Sequence, residues 1–352
     1  MSYSKREMEA GMIYGAPCAE GDYLPDYPEA WRPEPPKVEA EPEIVAVVQK
    51  DSSPLRITNK FGLPQPLVEA VSNNKYSPGK SDYTTTQLAG TPARQLVLKK
   101  RHWNEISEDV SDLIYSLSGQ SKHVVLERAA EFCKEYHYLA EERFYITREG
   151  KKIGGQIDLY DEEKRILYDW KETGVYASYH DVKFEWVSQG NINKLLLEEN
   201  GYEVEQIINI ALYRDWKKSE VGRTKDYPPH QVQQFPIEVW TREQTEAFIT
   251  RRIAEFEAAR VELPECTSEE RWQTKDLWAM TKKGNKRATK LFDTQTEAES
   301  HIEIFKLKGY EVQFRPGTNK RCESYCAAMP FCSQYKQLKE NEDAANRNIE
   351  AA

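Results

Sequence analysis

The chain has 352 residues, of which 30% are charged, and it carries a net charge of −9 at pH 7. No segment approaches the roughly 18 consecutive apolar residues that a membrane span requires, which excludes an integral membrane protein and favours a cytoplasmic one. The length accommodates one folded core of about 200 residues with additional segments around it.

Composition and periodicity divide the chain into five segments. Residues 1–50 are rich in Pro and Glu and lack a periodic pattern, which predicts a flexible tail or a partner-binding segment. Residues 51–104 are expected to form a loosely structured lead-in. A catalytic core is expected over 105–262, a cysteine-bearing subdomain over 263–340 and a disordered tail over 341–352.

The first strong helical signal follows Gly119, where SLSGQSKHVVLERAAEFCKEYHYLAEERF predicts one long helix. His123 and Glu127 are four residues apart and therefore share one helical face. An imidazole and a carboxylate on one face can contribute ligands to a divalent ion or orient each other, although a surface pair is the alternative. A second face is apolar and is expected to pack on the core; it consists of Val124, Val125, Leu126, Ala129, Ala130 and Phe132.

Two short strands, IDLY and ILYDWK, follow with the polar turn DEEKR between them. If they pair as a hairpin, Asp158 lies beside Asp169, while Asp169 and Lys171 share one face and Trp170 points away. Adjacent carboxylates repel each other unless a divalent cation lies between them. Such a cation can activate water beside a phosphate, and the lysine can steady the developing charge. The hairpin therefore predicts a metal-dependent phosphodiester-cleaving site, with a solvated surface hairpin as the alternative.

Further elements follow this hairpin. A helix that carries Gln189 near its start is predicted to end at Gly201, and an alternating strand is predicted over 207–213. The next helix has Thr241 as its expected N-cap, with Gln244 three residues later in a capping-box pattern. Its apolar face should pack on the core and consists of Phe248, Ile249, Ile253 and Phe256.

The cysteines form the second chemical signal. Three of them lie near the C-terminus with the spacing C-x3-C-x5-C: Cys322, Cys326 and Cys332. Three thiolates are one short of a tetrahedral zinc site or a cuboidal iron–sulfur cluster. Cys266 is the favoured fourth ligand, because Cys18 lies in the Pro-rich tail and Cys133 is interpreted as a small buried hydrophobe. A disulfide is the competing interpretation, and it is disfavoured because the sequence shows no signal peptide.

The segment between Cys266 and the last three cysteines predicts a small α/β unit. A hairpin should turn at 283–285, followed by a helix over 296–309 and a strand over 310–316. Basic residues cluster here and elsewhere, despite the negative net charge, and such clusters could follow a phosphate backbone or be solvated loop tips. The clusters span 99–102, 214–225, 282–290 and 315–321, with Trp103, Trp216, Phe292 and Tyr310 nearby.

In chain order these motifs are G-x-x-x-H-x-x-x-E, G-x-I-D, D-x-K and a helix with an early Gln. This order resembles the PD-(D/E)XK nuclease superfamily in its RecB-like branch, which includes the nuclease domains of RecB and AddB and the iron–sulfur nucleases of CRISPR adaptation. The resemblance covers about residues 80–216 and the C-terminal cysteines. It implies an α/β, restriction-endonuclease-like fold: a mixed central sheet flanked by helices, a small C-terminal α/β unit and a cysteine-ligated cluster.

The resemblance also implies roles for individual residues. The metal ligands would be His123, Asp158, Asp169 and the Trp170 carbonyl; the catalytic residues would be Asp158, Asp169, Lys171, His123, Glu127 and Gln189. The family often has Gln-x-x-x-Tyr, and here the last position is Asn193, which weakens the expectation of a family-type DNA contact there. The cluster ligands would be Cys266, Cys322, Cys326 and Cys332.

The function that the resemblance implies is hydrolysis of DNA with Mg²⁺ or Mn²⁺, as an exonuclease rather than an endonuclease. The sequence is similar to phage-encoded members of the superfamily, which suggests DNA recombination, repair or processing in a host cytoplasm. The expected partners are DNA and a recombination or single-strand-binding protein. An iron–sulfur cluster is expected from the resemblance alone, with structural zinc as the alternative. A non-catalytic DNA-binding or assembly protein and a nuclease acting on RNA are the competing functions.

Overall fold

The computed structural model describes residues 44–50, 53–72 and 79–350. These residues form an α/β fold with a mixed six-stranded sheet flanked by helices, together with two three-stranded sheets. None of the helices within these ranges is long and apolar enough to cross a membrane. Residues 1–43 of the predicted N-terminal tail, which include Cys18, lie outside the described residues.

The strands are β1 (Ile44–Lys50), β2 (Ser53–Thr58), β3 (Tyr83–Thr84), β4 (Ser107–Asp109), β5 (Tyr138–Arg148), β6 (Lys151–Asp161), β7 (Ile166–Thr173), β8 (Gln206–Tyr213), β9 (Val232–Ile237), β10 (Leu277–Lys282), β11 (Ala288–Phe292) and β12 (Tyr310–Arg315). The α-helices are α1 (Gln65–Ser72), α2 (Thr85–Gly90), α3 (Ala93–Arg101), α4 (Val110–Ala130), α5 (Phe184–Glu199), α6 (Arg242–Val261), α7 (Gln295–Ile304), α8 (Lys320–Tyr325) and α9 (Ser333–Glu350).

The six-stranded sheet has the order β3-β6-β7-β8-β9, and β5 also pairs with β6. Strands β5, β6 and β7 are joined by antiparallel pairings, β7 and β8 are parallel, and β9 is antiparallel to β8. The predicted pairing of IDLY with ILYDWK is therefore confirmed, since Leu159 pairs with Tyr168 and Tyr160 with Leu167. The parallel step from β7 to β8 requires a crossover, which α5 supplies.

The main apolar core joins the sheet to helices α2, α3, α5 and α6. The capping box at Thr241 and Gln244 is confirmed, and the predicted apolar face of α6 is buried. Gly155 allows α5 to approach β6, because a Cβ there would lie 2.6 Å from Leu196 Cδ1. This glycine precedes Asp158 by three residues, so the close helix–strand packing lies next to the predicted site.

Several predicted segments differ from the structure. The lead-in 51–104 is not loosely structured, because α2 and α3 contribute Leu88, Leu96 and Val97 to the main core. Residues 44–50, expected in the tail, form β1, and α9 continues to Glu350 through most of the expected C-terminal tail. For the lead-in and for β1, tertiary packing or strand pairing orders a segment whose local pattern is weak.

The long helix predicted from Gly119 towards Phe144 is also wrong. Helix α4 ends at Ala130, and the stretch LAEERF belongs to strand β5, because ten backbone pairings with β6 override its helical pattern. The apolar face predicted to pack on the core is largely in solvent, with Val125 65% and Phe132 75% exposed. The first turns of α4 pack inwards instead, through Val110 and its neighbours.

Asp109 links the start of α4 to the small sheet. Its side chain is 3% exposed and accepts hydrogen bonds from Thr58 Oγ1 (2.7 Å), Lys60 N (2.9 Å) and Ser111 N (3.1 Å). Burial alone would raise the pKa of Asp109, but these hydrogen bonds outweigh it and lower the pKa from 3.8 to about 2. The carboxylate is therefore both the N-cap of α4 and a buried acceptor.

Replacing Asp109 with asparagine should lower the free energy of unfolding by about 2 kcal/mol near neutral pH, because an amide group then faces donors. The lowered pKa means that this contribution is complete above the ordinary pKa of 3.8 and is lost as the pH falls towards 2. Urea unfolding at several pH values measures the difference. Asp112→Asn, an exposed change in the same helical turn, is the control, and an equal effect of both changes would contradict the assignment.

Candidate active site

The chemically active side chains come from five different elements that meet beside strands β6 and β7. Helix α4 supplies His123, β5 supplies Glu141, and β6 supplies Asp158. Strand β7 supplies Asp169 and Lys171, and α5 supplies Gln189. The three-dimensional arrangement thus brings together residues separated by up to 66 positions in the chain (189 − 123).

Three of these residues form a compact group of potential metal ligands. His123 Nδ1 lies 2.8 Å from Glu141 Oε1 and 3.5 Å from Asp158 Oδ1. One ligand atom from each of the three residues lies within 4.8 Å of the other two, and all three side chains are partly exposed. One imidazole nitrogen and carboxylate oxygens are suitable ligands for Mg²⁺ or Mn²⁺.

Glu141 was missed by the sequence analysis. Strand β5 pairs Ala140 with Leu159 and Glu142 with Ile157, which places Glu141 directly opposite Asp158. Glu141 and Asp158 are themselves absent from the backbone pairing of β5 with β6. Glu141 has a φ of +54°, a left-handed conformation that costs a residue other than glycine about 1–2 kcal/mol. Interrupted pairing at the two carboxylates is the kind of irregularity that positions a functional side chain. A strand prediction for LAEERF would have revealed this glutamate.

Asp169 and Lys171 lie on the same face of β7, as predicted from the strand period. Lys171 Nζ is 2.5 Å from Asp169 Oδ2 and donates a hydrogen bond to Gln189 Oε1 at 2.9 Å. Asp169 is 4% exposed, and no donor is directed at its Oδ2 with hydrogen-bond geometry. Oδ2 is therefore held in an ion-pair contact with Lys171 and is not a vacant ligand atom.

The electrostatics of the group reflect two carboxylates in one confined place. Burial, and after it the charge of Asp169, raise the pKa of Asp158 to about 8. The pKa of His123 is also raised, chiefly by its hydrogen bond to Glu141, while burial opposes this effect. Near neutral pH the group thus holds protons that a bound cation would displace.

The structure places the other predicted residues as follows. Trp170 donates its backbone N–H to Asp158 Oδ2 at 2.8 Å, while the role of its carbonyl as a ligand remains a prediction. Glu127 is exposed and does not belong to the group of potential metal ligands formed by His123, Glu141 and Asp158. Asn193 is buried beside Gly155. If Gly155 carried a Cβ, that atom would lie 2.8 Å from Asn193 Oδ1. A further glutamate, Glu172, ties β7 to α4 because Ser118 and Lys122 both contact its Oε1.

The four predicted cluster cysteines line one cavity at the other end of the described chain. Within the described residues, no three of these sulfurs lie within 4.8 Å of one another. Burial raises the pKa of Cys266 to about 12 and that of Cys322 to about 11. The thiols are therefore neutral unless a metal stabilises the thiolates.

Cationic side chains surround this cavity. Arg94, Arg271 and Arg321 line it, and Arg94 Nε donates to Cys332 Sγ at 3.2 Å. Arg94 is 6% exposed and also donates to Ser333 Oγ, so α3 is tied to the start of α9.

The remaining described cysteine lies elsewhere. Cys133 is partly exposed, contrary to its interpretation as a buried hydrophobe, and its thiol donates to Ala129 O. It follows α4 at the point where the chain turns towards β5. All five described cysteines are free thiols, so within the described residues the competing disulfide interpretation has no support.

Comparison with known proteins adds little. No protein-family model matches the chain, and no curated protein matches it. Among solved structures, the crystal structure of SSO0001 is similar to this chain at 14% sequence identity with a TM-score of 0.42. The match covers 58% of this chain and 89% of SSO0001.

Proposed function

We propose that this chain is a metal-dependent nuclease of the PD-(D/E)XK superfamily, in its RecB-like branch, that hydrolyses DNA phosphodiester bonds. The observation that carries the proposal is the convergence of His123, Glu141 and Asp158 within 4.8 Å, next to the Asp169–Lys171 pair. The sheet, with α4 and α5 beside it, would then be a restriction-endonuclease-like core. A role in DNA recombination, repair or processing follows only by analogy.

The residues present fit a divalent cation. The raised pKa of Asp158 follows from the burial of most of its side chain, which is 13% exposed, and from repulsion by Asp169, which a cation would relieve. Asp169 would serve as a further ligand if its Oδ2 exchanged the 2.5 Å contact with Lys171 Nζ for the cation. When bound, Mg²⁺ or Mn²⁺ would polarise the scissile phosphate and lower the pKa of a coordinated water.

The other side chains have roles that follow from their contacts. Lys171 would orient the attacking water and stabilise the negative charge that develops on the phosphate oxygens. Gln189 accepts a hydrogen bond from Lys171 and so holds the ammonium group in place, which is a positioning role. In hydrolysis, the water loses a proton as its oxygen bonds to phosphorus, and the bond from phosphorus to the leaving deoxyribose oxygen breaks as that oxygen gains a proton.

A digestion assay tests the proposal. Wild-type protein with Mg²⁺ should degrade DNA, whereas Lys171→Ala should be slower by at least about 10²-fold, because a group that stabilises transition-state charge is removed. Single-stranded, double-stranded and circular DNA are compared, and resistance of circles would identify an exonuclease. Lys164→Ala, which removes a lysine from the adjacent turn, is the control. Equal digestion by wild type and Lys171→Ala would overturn the catalytic assignment, and digestion confined to RNA would favour the ribonuclease alternative.

Glu141 provides a second test. Glu141→Gln should weaken Mn²⁺ binding by about 10–100-fold, because the variant lacks a charged oxygen that serves as a ligand or as a direct partner of His123. Isothermal titration calorimetry measures the affinity. Glu142→Gln alters the neighbouring exposed glutamate and should leave the affinity unchanged. If both variants bind Mn²⁺ like the wild type, Glu141 does not belong to the metal site.

We also propose that the four-cysteine cavity holds an iron–sulfur cluster. A tetrahedral zinc site with Zn–S bonds of about 2.3 Å would bring its sulfurs to about 3.8 Å from one another, which is closer than the spread seen here. The three arginines that line the cavity would offset the negative charge of a thiolate-ligated cluster. Anaerobic purification followed by visible absorbance and metal analysis distinguishes the two cases. A colourless protein containing zinc would reverse the choice.

A further inference from the structure

A β-hairpin in the C-terminal α/β unit carries an unusual concentration of positive charge. Residues 282–290 contain five cationic side chains and no acidic one. All five are exposed, and within the described part of the chain none of them forms an ion pair; they are Lys282, Lys283, Lys286, Arg287 and Lys290. The acidic residues of the same unit lie outside the hairpin: before β10, in the turn before α7, on α7 and on β12.

The other basic clusters are used within the protein or interrupted by acids. Arg321 is 9% exposed and pairs with Glu185 at 2.7 Å. Arg101 donates to a backbone carbonyl at the end of α6. The segment 214–225 is exposed, but its cations alternate with Asp215 and Glu220. Among the described basic clusters, the hairpin therefore has the most positive charge that is not paired within the protein and can bind an external polyanion.

The backbone of the hairpin is held in place. Strand β10 lies between β11 and β12, and Gly284 has φ of +87° in the turn between β10 and β11. Asn285 N donates to Lys282 O at 2.8 Å, and Arg315 donates to Lys286 O at 2.7 Å. An ordered tip reduces the entropy cost of binding a partner.

Its shape and composition favour a duplex over a single strand. A two-stranded ribbon fits the major groove of B-form DNA, whereas the major groove of A-form RNA is too narrow for it. Proteins that bind single strands use exposed aromatic rings for stacking on bases, and the tip from Lys282 to Arg287 has none. Lysine on edge strands can also serve to prevent aggregation, but three of the five cations lie in the turn rather than in a strand.

From these observations we infer that the β10–β11 hairpin is a binding element for duplex DNA, which contacts phosphates along a groove. The choice of a nucleic acid as the polyanion rests on the proposed nuclease function. The unit is connected to the rest of the protein near the cysteine cavity: Thr274 N donates to Thr318 O, and Gln273 pairs with Asn319. The chain segments on either side lead to Cys266 and Cys322, so the cavity fixes both ends of the DNA-binding unit.

The test uses the full chain with Lys283→Glu, Lys286→Glu and Arg287→Glu combined. Fluorescence anisotropy with a labelled DNA duplex, in buffer without added divalent ions, gives the affinity at several salt concentrations. The variant should bind the duplex at least tenfold more weakly, and the slope of log affinity against log salt should fall by about 0.9 for each phosphate that the hairpin no longer neutralises. The matched control has the same charge change on the 214–225 segment: Lys217→Glu, Lys218→Glu and Arg223→Glu.

The outcomes separate the possibilities. Loss of duplex binding in the hairpin variant, with the control close to wild type, supports the inference. Equal loss in both variants, or loss confined to single-stranded DNA or to duplex RNA, overturns it. A glutamine version of the hairpin variant, checked by circular dichroism, excludes misfolding. If duplex binding depends on the hairpin but the protein cuts no DNA, this inference stands and the nuclease proposal is refuted. If the protein cuts DNA but its duplex binding does not depend on the hairpin, the nuclease proposal stands and this inference is refuted.

Discussion

Asp158→Asn is expected to abolish metal-dependent cleavage and at the same time to stabilise the metal-free protein. Loss of a carboxylate ligand removes several kcal/mol of charge stabilisation from the transition state, which lowers the rate by at least about 10³-fold. The stabilising effect arises because burial and the charge of Asp169 both disfavour a charged carboxylate at position 158, and asparagine carries no charge. Substitution at a strained functional site commonly raises stability by about 1–2 kcal/mol while it removes function.

The direction in which stability changes with pH follows from the raised pKa of Asp158. The pKa of Asp158 is raised from 3.8 to about 8, so between these values the folded state binds a proton that the unfolded state has released. Stability of the wild type should therefore fall as the pH rises through this range, and the advantage of Asp158→Asn should grow. Thermal unfolding without metal at several pH values measures the difference.

Metal addition completes the test. Mn²⁺ should raise the melting temperature of the wild type, because it binds the folded state, and should leave Asp158→Asn unchanged. Asp161→Asn, which alters an aspartate three residues away in the same strand, should keep metal binding and lose stability, because Asp161 is buried and paired with Lys164. Cleavage by Asp158→Asn at the wild-type rate would contradict the proposed site.

Cys322→Ser is expected to remove the cluster and to unfold the C-terminal part while the chemistry of the active site remains. Metal-ligand bonds at structural sites can supply on the order of 10 kcal/mol of folding free energy. Without them, the cavity keeps buried thiols, and the buried cation Arg94 loses the thiolates beside it. Limited proteolysis should then show cleavage in 263–340, where the wild type resists it.

Cys133→Ser is the matched control, because Cys133 is partly exposed and does not line the cavity. It should retain the wild-type metal content, visible absorbance and protease resistance. Cys322→Ser should retain Mn²⁺ binding at the active site, measured by calorimetry, even where its C-terminal part is cleaved. Equal metal content in both serine variants would show that the cavity binds no cluster.

The sequence predicted those parts of the site whose residues lie close together in the chain. Asp158, Asp169 and Lys171 belong to one hairpin, so the period of a strand and the length of a turn were enough to place them near one another. The three C-terminal cysteines were found for the same reason, and Cys266 was favoured as the fourth because it follows a helix end. The structure brings all four to one cavity.

Other predictions failed where long-range interactions overruled a local pattern. Residues 138–144 were assigned to a helix because their neighbours have helical periodicity, yet pairing with β6 makes them a strand. The apolar face with Val125 and Phe132 was expected in the core, although only the start of α4 reaches it. The lead-in was expected to be loosely structured, yet its short helices pack on the main core, and short helices depend on such packing for their stability.

The sequence by itself therefore determined the α/β class, the order of the elements from β6 to β12 except β9, which was not predicted, and the local motif of two aspartates and a lysine. Only the tertiary structure decided that Glu141 faces Asp158, that Glu127 points to solvent and that Arg94 meets Cys332. The physical reason is the range of the interactions. Periodicity and turn chemistry act over a few residues, whereas strand register and helix docking join residues that are distant in the chain.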